Sequence, residues 1–166
     1  MPILSSSYLV NKMKILAVLL FTLLWIMNQN VFAAGASIKP SKSAGEKRLE
    51  ANVYFKEGQT LQEAGNFKAA SKKYEKAVRA DSKYAEAWSN LGYSYRKQGD
   101  LRKGVKAYKK AIKLDPNLAE AHEYLGEAYA EMGKFDLAEK ELKILRALGS
   151  DEADELKEFI AKMKTK

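Results

Sequence analysis

The 166-residue chain has no cysteine and a single histidine, His122. Without cysteine there is no disulfide framework, no thiol nucleophile and no thiolate metal site. One imidazole lacks the second ligand a histidine metal site needs. A catalytic triad requires a base within reach of its nucleophile and an acid to orient that base. No Gly-x-Ser-x-Gly elbow surrounds any serine, and no Gly-x-x-x-x-Gly-Lys phosphate loop occurs. These absences argue against an enzyme and against a bound metal, cofactor or small-molecule substrate. Long apolar runs are also missing. Ile15 to Met27, broken only by Thr22, spans 13 residues, short of the ~20 that cross a bilayer.

That run lies in a distinctive N-terminal stretch. Residues 1–33 carry Lys12 and Lys14 and no acid, then the apolar run, then polar Asn28-Gln29-Asn30. Val31 and Ala33 place small residues at −3 and −1 of a cleavage site, the pattern of a secretory signal peptide. Cleavage is expected after Ala33, with Ala36 the weaker option. A signal beginning at Met13 has the more usual length. The alternative is an uncleaved anchor in the inner membrane. Export points to the periplasm, where nucleic acid is rarely met. Of 29 basic residues, 2 precede Ala34; the remaining 27, set against 21 acids, leave a net charge of +6. This basic balance favours a protein partner or weak contact with an anionic membrane surface. Residues 34–45 read as a flexible linker of small and polar residues.

The rest of the chain repeats. Gly58, Gly92 and Gly126 are 34 residues apart, as are Gly65, Gly99 and Gly133, and Phe67, Leu101 and Phe135. Within one period, Trp88, Leu91, Gly92 and Tyr95 fall at i, i+3, i+4 and i+7, one stripe of a helix. Gly99-Asp100 ends that helix and caps the next. Leu101, Gly104, Val105, Tyr108, Ala111 and Ile112 form a second stripe, closed by Asp115-Pro116-Asn117. The two helices of each pair are expected to approach closely where the glycines recur. After Gly149, which should stop the sixth helix, Asp151 is expected to cap a seventh. That helix carries Leu156, Phe159, Ile160 and Met163 on one face.

These residues resemble the tetratricopeptide repeat family. The motif Trp88-x-x-Leu91-Gly92-x-x-Tyr95 is followed by Gly104-x-x-x-Tyr108 and Pro116. The family's usual alanine is Gly104 here and its usual phenylalanine is Tyr108. The resemblance covers Ala51 to about Glu152. It implies an all-α fold, an α-solenoid of three helix-turn-helix units plus a C-terminal capping helix. The units are expected at 46–84, 85–118 and 119–150, with the cap and tail at 151–166. Glu57 replaces the usual leucine, so the first unit is a degenerate end repeat. His122 stands in the column of Tyr54 and Trp88, where packing is its expected role.

The resemblance also implies a concave groove lined by the first helix of each pair. The groove set is Phe55, Gln59, Glu86, Ser89, Tyr93, Arg96, Glu120, Glu123 and Glu127, flanked by Asn52, Gln62, Lys97 and Glu131. The third-repeat glutamates form an acidic stripe suited to a basic or amine-bearing segment of a partner. The bland alternative is a solvated face neutralised by Arg96, Lys97 or the cap helix. Family members that clamp acidic chaperone tails do so with Lys, Asn, Asn, Lys and Arg. Those columns hold Phe55, Gln59, Asn90, Glu120 and Tyr124, and only Asn90 matches. The implied function is non-catalytic capture of an unidentified protein partner in the cell envelope. The alternative is a structural subunit of an envelope or membrane-associated complex, using the lysine-rich convex face of the second helices.

Overall fold

In this computed structural model, the described residues are Lys14, Thr22 and residues 42–166. The signal and most of the linker expected for residues 1–45 lie outside them. Residues 42–166 form one compact unit. Its helices are α1 (Ala44–Glu63), α2 (Phe67–Ala80), α3 (Ala85–Lys97) and α4 (Leu101–Leu114). They are followed by α5 (Ala119–Glu131), α6 (Phe135–Leu148) and α7 (Glu152–Lys164), and no strand occurs among the described residues. The fold is all-α, and residues 42–166 are built as three helical pairs and a final helix.

Local chemistry sets most of these bounds. Asn66 and Asp100 accept hydrogen bonds from the amides of Ala69 and Lys103, capping α2 and α4. Gly65, Gly99, Gly133 and Gly149 have φ between +68° and +84°. A residue with a Cβ is strained there, so glycine supplies the reversal after α1, α3, α5 and α6. Two bounds depart from expectation. Helix α1 begins at Ala44, so Ala44 and Gly45 belong to a helix and not to the linker. The cause is a capping box: Ser43 Oγ accepts from the Glu46 amide at 3.2 Å, and Glu46 accepts from the Ser43 amide at 2.7 Å. Asp151 precedes α7 without a side-chain capping bond; the neighbouring Ser150 hydroxyl donates instead to Glu152.

Packing explains the recurring glycines. A Cβ on Gly58 would stand 2.6 Å from the Tyr74 ring, and one on Gly92 would stand 2.6 Å from the Tyr108 ring. Each tyrosine comes from the second helix of the same pair and is fully buried. Gly126 meets a different partner. Its Cβ would lie 2.5 Å from Leu156 of α7. Leu142, which holds the tyrosine column in the third pair, does not fill that space. The last helix is thus part of the third repeat's core. Its Ala153, Leu156 and Ile160 are buried against α5 and α6. Burying a large apolar side chain contributes about 1.5–3 kcal/mol, and Leu156 and Ile160 would lose that without the preceding pair.

The array curves toward its first helices. Besides contacts between successive helices, α3 touches α5 and α5 touches α7, whereas no comparable contact joins α1 to α3, α2 to α4 or α4 to α6. Helices α3 and α5 therefore form the inner face, with α1 joined to it by the Gln62–Asn90 hydrogen bond, and α2, α4 and α6 form the outer one.

Candidate functional site

The inner face is best defined where α3 meets α5. Arg96, near the end of α3, is 7% exposed. Its guanidinium reaches Glu127 at 2.5 Å and Glu131 at 2.6 Å. It also lies 5.5 Å from the Tyr93 ring centre and 5.8 Å from that of Tyr124. The Tyr93 and Tyr124 rings are 5.0 Å apart. One arginine thus ties two acids and two aromatics across the helix junction. Lys97, exposed beside them, places Nζ 5.2 Å from the Tyr93 ring.

The remaining acids of α5 are not neutralised in this way. Glu120 and Glu123 form no ion pair with any basic side chain among the described residues. Glu123 is 8% exposed. Burial, then the neighbouring carboxylates of Glu127, Glu155, Glu152 and Glu120, push it up to about 8. Burial also raises Glu120, helped by Glu152 and Glu86. For Glu127, burial outweighs the opposing pull of Arg96. The stripe therefore divides in two. Glu127 and Glu131 are structural partners of Arg96, as the neutralised-face alternative expects. Glu120 and Glu123 have no counter-charge, and burial holds both above the ordinary carboxylate range, so Glu123 carries its full negative charge only above about pH 8.

The other expected groove residues are placed differently. Phe55 is half-buried, its ring 5.7 Å from Tyr74 and 4.9 Å from Tyr84. It packs within the first repeat and does not join the α3–α5 cluster. Gln59 is exposed on α1, and Glu86 is exposed in the first turn of α3. Ser89 is buried, and its hydroxyl has no hydrogen-bond partner among the described residues. Gln62 donates to Asn90 at 3.2 Å, bridging α1 and α3. Three contributors escaped the groove set. Tyr124 completes the aromatic pair, and Glu152 and Glu155 bring acid from the cap helix. The i, i+4 spacing of Glu120 and Tyr124 was the available signal for the first.

His122 is a packing residue, 3% exposed. Its Nδ1 is 2.7 Å from Glu141 and its Nε2 3.0 Å from the Pro116 carbonyl. The bond to Glu141 raises its pKa, against the effect of burial. Among the described residues, no group of histidine and carboxylates is placed to hold a metal ion. The arrangement can bind and orient charged and aromatic groups.

Comparison with known proteins agrees with this architecture. The family described as TPR repeat matches residues 51–99 and 92–133, which together span half of the chain. The chain has no match among curated proteins. Among solved structures, it is similar to the TPR2B domain of yeast Sti1 in a pHsp70 complex. Identity is 20% over 70% of this chain and 98% of that one, with a TM-score of 0.67. It is also similar to the first TPR of Spaghetti (RPAP3), bound to the HSP90 peptide SRMEEVD. That match has 20% identity over 72% and 96% of the two chains, with a TM-score of 0.64. The crystal structure of MamA is 29% identical over 68% of this chain and 61% of that one, with a TM-score of 0.55. The likeness to Sti1 and RPAP3 is one of fold.

Proposed function

Since the chain belongs to the tetratricopeptide repeat family, we propose that it is a non-catalytic interaction module that holds a basic peptide segment on its inner face. The observation that carries this reading is the pair Glu120 and Glu123. Both are acids without a basic partner, beside the Tyr93–Tyr124 rings. A lysine or arginine of the incoming segment would supply the missing positive charge. Its apolar neighbours would lie on the aromatic pair. Most of the binding energy should come from these few anchors. Arg96 keeps the platform assembled by joining α3 to α5.

The likeness to peptide-bound domains supports the mode of binding, while the local charge sets a different preference. The peptide in the RPAP3 structure, SRMEEVD, is acidic at its C-terminus. An acidic tail would meet the uncompensated carboxylates of Glu120 and Glu123. The composition of residues 1–33 supports an exported protein. In that setting the repeats would recruit a partner in the periplasm of a bacterial envelope.

Peptide titration tests this. A peptide with two lysines flanking a leucine should bind the full chain, while SRMEEVD should not. Glu120→Lys with Glu123→Lys should weaken the basic peptide by about tenfold or more. Because Glu123 must be ionised to attract a cation, affinity should rise between pH 6 and 8. Equal binding of both peptides, or an unchanged affinity in the double variant, would remove the acidic inner face as the site.

A further inference from the structure

On the outer face, α2 and α4 flank α3 without comparable contact between them. Between them lies a hollow of about 740 Å³, within the range of ligand-binding clefts. Its floor is Val78, Leu91 and Ala107, and Trp88 and Tyr95 stand in its walls. Along its α4 edge run Lys103, Lys106, Lys110 and Lys113. Their spacing of three, four and three residues keeps them in one stripe, about 15 Å long at the helical rise. Arg79 of α2 adds a cation.

The hollow has almost no compensating acid. Among the described residues Glu75 is the one carboxylate lining it, and that group accepts the Tyr95 hydroxyl at 2.5 Å. Lys103 pairs with Asp100 at 2.9 Å. Arg79, Lys106, Lys110 and Lys113 have no carboxylate within ion-pair distance among the described residues. A lysine-rich solvated surface would explain the charges alone. It does not explain an apolar, aromatic-walled channel beneath them.

We propose that this outer hollow docks an acidic amphipathic helix of a partner protein. The apolar face of that helix would sit over Val78, Leu91 and Trp88, with its carboxylates along the lysine stripe. The geometry favours a helix over other anions. The cations are strung along roughly three helical turns and do not converge on a point, as a single headgroup would require. A flat bilayer would meet the lysine tips and leave the floor unfilled. Acids and apolar anchors spaced at i, i+3, i+4 and i+7 would match both features at once. This site is independent of the inner-face reading, since it uses other helices and the opposite charge.

The wall residue provides the readout. Trp25 and Trp88 are the two tryptophans of the chain, so full-length Trp25→Phe leaves Trp88 as the reporter. The probes are a helical peptide of about 14 residues, four turns, with leucines on one face flanked by glutamates, a scrambled peptide of equal composition, and vesicles of anionic phospholipid. The amphipathic peptide should shift Trp88 emission saturably at about 0.15 M salt. The scramble should bind about tenfold more weakly. Lys106→Glu with Lys110→Glu should weaken binding about tenfold, and Lys113→Glu alone should weaken it less. Lys72→Glu with Lys76→Glu changes two exposed lysines of α2 that do not line the hollow. That pair should change affinity less than about threefold. Helicity by circular dichroism checks that each variant is folded. Equal losses from both lysine pairs, equal binding of the scramble, or no saturable shift would overturn the proposal. A Trp88 response to vesicles alone would assign the face to a membrane.

Discussion

The two faces of this solenoid carry opposite charge under opposite constraints. On the inner face, α3 and α5 touch, Arg96 is buried between two glutamates, and Glu123 is buried among carboxylates. On the outer face, α2 and α4 stand apart and the lysines of α4 surround an open hollow. Closing the inner side desolvates its charges, so each must be paired or held away from its ordinary pKa. Opening the outer side leaves lysines hydrated, where they contribute little to stability and remain available to a partner. Charge inside is coupled to folding, and charge outside is not.

Removing the inner clamp should have the largest effect. Arg96→Met leaves Glu127 and Glu131 unpaired and should cost about 3 kcal/mol in urea unfolding at pH 7. The loss should shrink as pH falls, because Glu127, already raised by burial, takes up a proton. Next comes Gly92→Ala. Its added Cβ would meet the fixed Tyr108 ring at 2.6 Å, so about 1–3 kcal/mol should be lost. Gly126→Ala should cost less, because the atoms it meets are the branched end of Leu156. Both are measurable as shifts in thermal midpoint.

A gain is expected from Glu123→Gln. The folded pKa of about 8 lies above the ordinary glutamate value of 4.5. The stability linked to Glu123 is therefore full below pH 4.5 and declines as pH rises toward 8. The glutamine variant lacks that decline. It should match the parent near pH 4.5 and exceed it at pH 8 by at least about 1.4 kcal/mol, the value of one pKa unit. The smallest effect belongs to the outer face. Lys106→Gln, at an exposed and unpaired lysine, should stay within about 0.5 kcal/mol of the parent at any pH between 5 and 8. A loss comparable to that of Arg96→Met would erase the contrast between the faces.

The helical frame was legible because its signals are local. The positive-φ glycines at 65, 99, 133 and 149 end helices wherever the chain folds. The period of 34 residues marks the stacking. Ser43-x-x-Glu46 was an equally local signal, and the start of α1 was missed because Gly45 was read as linker. What stayed hidden depends on tertiary placement. Arg96 is 31 residues from Glu127, and only the curvature of the array brings them together. The packing of Phe55 against Tyr84 depends on how the loop after α2 returns. The partner of Gly126 comes from a helix outside the repeat period, so the periodicity does not show that Leu156 fills the space. The hollow between α2 and α4 arises from tertiary placement, which the lysine count alone does not reveal.

The central claim is that a basic segment binds where α3 meets α5. Amide chemical-shift mapping of the isotopically labelled full chain, titrated with a lysine-leucine peptide at pH 8, tests it most directly. The account predicts shifts concentrated at Tyr93, Glu120, Glu123 and Tyr124, with α2 and α4 unmoved. Shifts confined to α2 and α4, or spread evenly over every exposed acid, would contradict it.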